Sequence, residues 1–97
     1  MKFTKNEGQY IVGCLELALE EAMEYEWETE HNSYWNVKNK YEEICNEDMS
    51  CEYDFSKDEL NIINLALSYG LEGLSEGDFE YLAINKIIDK IERNNRL

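Results

Sequence analysis

Apolar residues recur every three or four positions through the first quarter of the chain, which is the period of one face of an α-helix. The stripe consists of Ile11, Cys14, Leu15, Ala18, Ala22 and Tyr25, widened by Val12, Leu19 and Met23. Residues 29–33 are polar, and they offer Asn32 or Ser33 as the N-cap of a second helix. The pattern therefore predicts a first helix from about Lys5 to Glu28.

The same period returns in three later stretches, which predict helices over about Tyr34–Asn46, Lys57–Leu71 and Phe79–Arg93. The predicted inward residues are Trp35, Val37 or Lys38, Tyr41, Ile44 and Cys45 in the second helix, Leu60, Ile63, Leu67 and Leu71 in the third, and Leu82, Ile84, Ile87, Ile88 and Ile91 in the fourth. Gly73 is placed to end the third helix. The basic residues near the end of the fourth helix complement its dipole, and they are Lys90, Arg93 and Arg96.

Two helix starts are written in nearly the same letters. Residues 3–7 read Phe-Thr-Lys-Asn-Glu and residues 55–59 read Phe-Ser-Lys-Asp-Glu, and each combines a Thr or Ser N-cap with a Glu three residues later, a capping box. With an offset of 52 the likeness continues through the pairs Ile11/Ile63, Leu15/Leu67, Leu19/Leu71 and Glu20/Glu72. A duplicated helical hairpin and the convergence of two amphipathic helices with similar caps both explain this likeness.

The fold class expected from these elements is all-α: a small four-helix bundle built from two related hairpins. The chain contains no proline, and its predicted connections are short enough for antiparallel neighbours. Its 97 residues suit a single domain, with hairpins over about 3–46 and 55–94 and a linker over 47–54. A homodimer is expected if the first helix, about 36 Å long, extends past its shorter partners.

Charge narrows the choice of partners. The net charge is −13, and residues 6–80 carry twenty acids against only Lys38, Lys40 and Lys57. Such a surface repels nucleic acid and anionic lipid and attracts basic protein surfaces, so no direct nucleic acid and no membrane partner is expected. With no apolar run near the ~20 residues of a membrane span, no signal peptide and an odd number of cysteines, the cytoplasm is the expected location.

No residue constellation indicates catalysis, a metal or a cofactor. Alternate acidic and polar residues over 46–54 resemble the start of a calcium loop, but Cys51 and Lys57 stand where that loop needs Gly and Glu. Cys14, Cys45, Cys51 and His31 lack the short spacing of a zinc site, and Cys51 is expected to be exposed without a basic neighbour. His31 has no evident nucleophile to serve. We therefore expect a non-enzymatic protein.

Aromatic and acidic residues interleave near the end of the first helix. Tyr and Trp are common interface anchors, and carboxylates beside them can bind Arg. Trp35 and Tyr41 are more simply explained as core residues between the first two helices. Trp27 fits that explanation less well, because Glu24, Glu28 and Thr29 flank it beyond the clean apolar stripe.

Seven glutamates fall between residues 16 and 30 without a Lys or Arg. Glu16, Glu20, Glu24 and Glu28 repeat every four residues, so one helix would place all four in a row about 18 Å long. One DNA strand places about five phosphates over that length. We predict that this row, with Tyr25 and Trp27, contacts a basic partner surface.

In its short length, its lack of catalytic motifs and its Glu16–Glu30 run, the chain resembles small acidic phage-encoded inhibitors of the anti-CRISPR and DNA-mimic kind. The resemblance implies a protein that acts in the host cytoplasm and occupies the basic surface of a nucleic-acid-handling host protein, for which a nuclease complex is one candidate. It matches no family motif, so it transfers no site residue. One alternative is a self-associating structural or regulatory module whose acids serve only solubility, and another is a metal- or thiol-dependent sensor.

Overall fold

Four α-helices form the architecture, as seen in a computed structural model that describes residues 1–95, with side chains through Asn94. They are α1 (Lys5–Glu24), α2 (Glu28–Ile44), α3 (Lys57–Glu72) and α4 (Phe79–Asn95). The predicted all-α four-helix bundle is confirmed. The predicted position of Arg96 in the basic end of the last helix lies outside the described residues.

The two helices that begin the hairpins form the centre of the bundle. α1 and α3 contact each other, and each also contacts both α2 and α4, which do not touch each other within the described chain. The core between them is aliphatic, with Ile11, Leu15, Ile63 and Leu67 fully buried. Burial of such side chains contributes roughly 1.5–3 kcal/mol each, which makes this central pair the main source of stability.

Both predicted capping boxes are present. The side chain of Thr4 accepts a hydrogen bond from the amide of Glu7 at 3.3 Å, and Glu7 accepts one from the Thr4 amide at 2.8 Å. Ser56 and Glu59 make the same exchange at 3.1 and 2.8 Å. Each box satisfies helix-end N–H groups that would otherwise lack a partner.

The two hairpins bury side chains at corresponding positions. In the first helices the correspondence has the predicted offset of 52, and in the second helices it has an offset of 50. The buried residues of α2 and their counterparts in α4 are Tyr34/Ile84, Val37/Ile87 and Tyr41/Ile91. Descent of the hairpins from one duplicated unit stays a prediction, but the same positions are buried in both second helices.

Two lysines join the hairpins reciprocally through the capping boxes. Lys90 of α4 lies 2.9 Å from Glu7 of α1, and Lys40 of α2 lies 2.6 Å from Glu59 of α3. Each capping glutamate therefore holds both its own helix start and a helix of the other hairpin. The contacts are partly buried, which reduces their screening by solvent.

The prediction that the first helix continues to Glu28 is wrong, because α1 ends at Glu24. The amide of Trp27 donates to the carbonyl of Ala22 at 2.8 Å and the amide of Glu26 donates to that of Met23 at 3.4 Å, the pattern of a Schellman C-cap. Glu26 takes the left-handed position of this motif with φ 57°. Glycine usually occupies that position, so the glutamate in this sequence did not indicate that the helix ends there.

The predicted start of the second helix at Tyr34 is also wrong. α2 begins at Glu28 with Trp27 as its N-cap, and the amide of His31 donates to the Trp27 carbonyl at 2.8 Å. Asn32 and Ser33 therefore lie inside the helix instead of capping it. The helix dipole favours acidic residues in the first turn of a helix. Glu28 and Glu30 lie in the first turn of α2 and therefore help the helix to begin at Glu28.

Four predicted core residues are exposed instead: Tyr25, Met23, Trp35 and Leu82. Trp35 is 49% exposed because the neighbouring Tyr34 takes the core position, and adjacent residues on a helix point about 100° apart. Tyr25 lies in the turn after α1, beyond the packed stripe. The remaining predicted inward residues are buried or half-buried.

The linker between the hairpins packs on the core. Cys51 is buried, contrary to the expected exposure, and its backbone pairs with that of Phe3 at 2.7 and 2.9 Å. The hydroxyl of Tyr41 donates to the carbonyl of Met49 at 3.0 Å. That carbonyl lies against α1 at Gly8, where an added Cβ would be 1.9 Å away. Gly8 is thus required by the close approach of the linker.

The overhang that would have favoured a homodimer does not exist. With 20 residues α1 is about 30 Å long, only about one turn longer than the 17-residue α2 and α4. The molecule measures 32 × 32 × 29 Å, so no helix projects far beyond the bundle. None of the helices described is long and apolar enough to span a lipid bilayer.

Candidate partner-binding surface

Three of the four predicted carboxylates lie in one row on the solvent side of α1. Glu16, Glu20 and Glu24 are all exposed and are one turn apart. The row spans about 12 Å, over which one DNA strand places three to four phosphates. Its charge spacing therefore approaches that of a nucleic-acid strand even though the row is shorter than predicted.

The fourth carboxylate does not continue the row. Glu28 is the first residue of α2, beyond the turn at residues 25–27, so the four acids do not share one helix. The turn instead brings Glu26, Glu28 and Glu30 to the corner between the helices, and all three are exposed. The acidic surface is therefore a short row on α1 that ends at this corner. The predicted single helix carrying all four carboxylates is wrong.

The row is left largely without internal counter-ions. Lys38 lies 2.7 Å from Glu42 and 3.9 Å from Glu16, so Glu16 has a weak cationic neighbour. In the described part of the chain, no Lys or Arg lies within 4 Å of Glu20, Glu24 or Glu28. The last turn of α1 contains no basic residue. The negative charge of Glu24 at this C-terminal end opposes the helix dipole.

An aromatic pair stands beside these acids in the turn. The rings of Tyr25 and Trp27 stack with centroids 5.2 Å apart and planes inclined by 25°. Both predicted contact residues are accessible, with Tyr25 59% and Trp27 38% exposed. Two large exposed rings held against each other present a flat apolar surface that needs little further ordering to bind.

The aromatic surface continues along α2. Trp27, His31 and Trp35 are spaced four residues apart, and the rings of His31 and Trp35 lie nearly parallel at 6.4 Å. Lys38 extends the line, with its ammonium 6.0 Å from the centre of the Trp35 ring. We call Met23, Tyr25, Trp27, His31 and Trp35 the aromatic strip. The four-residue spacing in the sequence was the signal that could have revealed Trp35 as part of it.

An open groove lies between the end of α1 and the start of α2. Its lining residues are Ala22, Met23, Glu26, Trp27, Glu28, His31 and Asn32. Its lining therefore combines apolar side chains with two carboxylates. This combination suits the side chain of an arginine or lysine, whose stem packs on apolar surface while its charge meets a carboxylate or an aromatic face.

The titratable groups of the core have no comparable role. Burial raises the pKa of the Cys14 thiol to about 11, which keeps it protonated and unreactive at neutral pH. Burial also raises the pKa of Cys45. Among residues 1–95, no three His, Cys, Asp or Glu side chains are grouped so that they could hold a metal ion.

The exposed apolar residues are not confined to this corner. Phe79 and Leu82, at the start of α4, are 76% and 52% exposed. The sequence pattern assigned Leu82 to the core and gave Phe79 no role.

Comparisons of the chain with protein-family models, with curated proteins and with solved structures give no match.

Proposed function

We propose that the chain is a non-enzymatic binding protein that inhibits a nucleic-acid-handling protein of its host by covering that protein's basic surface. It acts in this proposal as a phage-encoded anti-defence protein of the DNA-mimic or anti-CRISPR kind, in the cytoplasm of the host. The contact surface is the row Glu16, Glu20 and Glu24 with Glu28, Tyr25 and Trp27 at the corner. The aromatic strip extends it to Trp35.

One observation carries the proposal: a stacked and exposed aromatic pair lies between Glu24 and Glu28, and in the described chain no Lys or Arg lies within 4 Å of either carboxylate. Neither the acid row of α1 nor the exposed part of the two rings contributes much to folding of the monomer. Like charges one turn apart repel by roughly 0.2–0.5 kcal/mol per pair, and exposed aromatic rings contribute little to the core. Both features become favourable when a basic surface neutralises the acids and covers the rings.

The division of labour within the surface follows from its chemistry. The acid row speeds encounter with a positive surface and is screened by salt. Tyr25 and Trp27 supply the contact that persists after encounter, by packing on arginine side chains at the centre of the interface. Loss of acids should therefore slow association, and loss of the rings should speed dissociation.

The test is capture from a lysate of the host on the immobilised protein, followed by elution with double-stranded DNA. We expect the captured target to be released by DNA, because the two compete for one basic surface. The variant with Gln at Glu16, Glu20, Glu24 and Glu28 should capture much less of it. The matched control carries the same charge change at Glu47, Glu72, Glu76 and Glu80, which are also exposed, and should capture it like the parent.

Equal loss in both Gln variants would show that total charge, and not this surface, drives binding. A target that DNA does not displace would contradict the mimic mechanism itself. The double variant Tyr25→Ala and Trp27→Ala completes the series, since it keeps every charge. It should capture the target but release it at least about tenfold faster, as expected when a hot-spot contact of about 1.4 kcal/mol or more is lost.

A further inference from the structure

The outer side of α4 is an uncovered helix face. Ile84, Ile87 and Ile91 point into the core, while Phe79 and Leu82 are exposed and Ile88 is half-buried at the edge. A shallow groove runs along this side and is lined by α4 alone, through Leu82, Asn85, Lys86, Ile88, Asp89 and Glu92. No other described element of the chain covers it.

Comparison with α2 shows that the fold does not require apolar residues on this face. At the offset of 50, the positions of Phe79 and Leu82 correspond to Thr29 and Asn32 in α2, both polar and exposed. The equivalent helix thus packs in the bundle with polar residues at these two positions. Two large apolar side chains one turn apart in solvent indicate a contact that the isolated chain does not make.

The charge of α4 favours a second copy as the occupant. From Phe79 to Asn94, α4 carries Glu80, Asp89 and Glu92 against Lys86, Lys90 and Arg93, so it is neutral within a chain of net charge −13. Two copies that meet through α1 or α2 would bring acidic surfaces together. At α4 they can approach within a Debye length, about 8–10 Å, without that repulsion between the contacting faces.

The spacing of charges on α4 is also self-complementary. Two α4 helices packed antiparallel about a two-fold axis between residues 87 and 88 place Lys86 of each copy opposite Asp89 of the other. The same register places Leu82 against the aliphatic stem of Arg93. In the monomer Asp89 accepts a hydrogen bond from Arg93 at 2.8 Å. This exposed ion pair costs little to break, so Asp89 can pair with Lys86 of the second copy instead.

From these observations we propose that two copies of this chain associate through the outer faces of α4, in an antiparallel helix pair. The contact leaves the acid row and the aromatic strip of both copies exposed. This contact does not depend on the proposed function, and the response to salt concentration distinguishes dimerisation from partner binding. Dimerisation should strengthen as salt screens the repulsion between two bodies of charge −13, whereas capture of a basic partner should weaken.

Sedimentation velocity tests the proposal at protein concentrations up to about 1 mM, a range that includes the weak association expected of a single helix pair. We expect a concentration-dependent dimer that is favoured several-fold by raising NaCl from about 50 to about 500 mM. Phe79→Glu with Leu82→Glu should raise its Kd at least about tenfold. The control, Leu17→Glu with Leu65→Glu, replaces two exposed leucines on other helices and should dimerise like the parent apart from a small general charge effect.

A second pair of variants tests the register and does not depend on the apolar residues. Lys86→Glu and Asp89→Lys should each dimerise weakly alone, because each places like charges opposite each other. Mixed in equal amounts they should form a heterodimer, since the oppositely charged pairs are then restored. A parent that stays monomeric at about 1 mM would overturn the proposal. So would a Phe79/Leu82 variant that dimerises like its control, or a mixture no tighter than its components.

Discussion

The two hairpins of this bundle bury equivalent positions and expose different chemistry. Inside, the correspondence is close, since Leu15 matches Leu67 and the buried positions of α2 correspond to buried positions fifty residues later in α4. Outside, residues 16–30 carry seven acids and the equivalent residues 68–82 carry four. Only the second hairpin adds Lys86 and Arg93 to the outer side of its second helix.

The difference teaches that the packing does not determine what each hairpin presents to solvent. α1 is four residues longer than α3, so Glu24 lies on a rigid helix while its counterpart Glu76 lies in the turn after α3. The first hairpin thereby holds an acidic row beside aromatic rings. The second presents a helix face with no net charge that carries the exposed Phe79 and Leu82. One scaffold thus carries two chemically different surfaces, which we propose for a basic partner and for a second copy.

The largest expected effect tests the equivalence of the interiors. Leu15→Ala and Leu67→Ala each remove a fully buried side chain from the central helix pair, and each should lower the free energy of unfolding by about 3 kcal/mol. Urea denaturation measures both. Costs that agree within about 1 kcal/mol are expected of equivalent sites, since cavity relaxation varies with packing. A much cheaper substitution in one hairpin would show that its core is looser.

Gly8 marks the place where the interiors differ, because its counterpart in the second hairpin is Leu60. Gly8→Ala places a Cβ 1.9 Å from the Met49 carbonyl oxygen and 2.7 Å from the Tyr41 hydroxyl. The linker must move, at a cost of about 2–3 kcal/mol. Gly13→Ala is the control, because nothing lies within 4 Å of its added Cβ, and it should stabilise α1 by up to about 1 kcal/mol. A harmless Gly8→Ala would mean that the linker does not pack on α1.

Hydrophobic period and capping chemistry were sufficient to predict the bundle, both capping boxes and most of the core. The same criteria failed at the turn after α1. The residue with left-handed backbone there is Glu26, and nothing in the sequence distinguishes a glutamate in that conformation from one inside a helix. They also failed where two neighbouring residues were both suited to the core. Tyr34 and Trp35 are such a pair, and only packing against Tyr69 and the rest of the core selects Tyr34.

The candidate surface was predictable to a similar extent. Exposure of Glu16, Glu20 and Glu24 follows from their place opposite the apolar stripe, so the row was found from spacing alone. Its length was overestimated because the helix was extended through the turn. Trp35 was missed for the reason given above. Phe79 and Leu82 were missed because an amphipathic pattern cannot show that a helix lacks a neighbour on its second apolar side.

The turn after α1 gives a smaller effect, and among the described residues of the second hairpin no non-glycine residue has a positive φ. Glu26→Gly should raise the free energy of unfolding by about 1 kcal/mol, because glycine adopts the left-handed conformation at no steric cost. Part of that gain could come from removing a charge in an acidic corner. Glu26→Gln separates the two, since it removes the charge and keeps the Cβ. If both variants are equally stable, repulsion and not backbone strain accounts for the gain.

The smallest effect concerns the contacts that join the hairpins. Burial opposes ionisation of Glu7, but hydrogen bonds from the Thr4 amide and from Lys90 outweigh it and lower the pKa of the carboxyl below 4.5. Burial likewise opposes ionisation of Glu59, and Lys40 and Ser56 lower its pKa in the same way. A carboxyl whose pKa is lowered by folding stabilises the protein above its unfolded pKa and loses that contribution as pH falls through its folded value.

Glu7→Gln isolates this term, because glutamine can still complete the capping box while the charge on Lys90 loses its partner. Near neutral pH the variant should be less stable by about 0.5 kcal/mol, as befits a partly exposed pair. Between about pH 5 and pH 3 the parent should lose this advantage, so the two curves of unfolding free energy against pH converge. Glu59→Gln should converge on the parent in the same direction. Curves that stay parallel through that range would show that the lysine contacts do not couple the hairpins electrostatically.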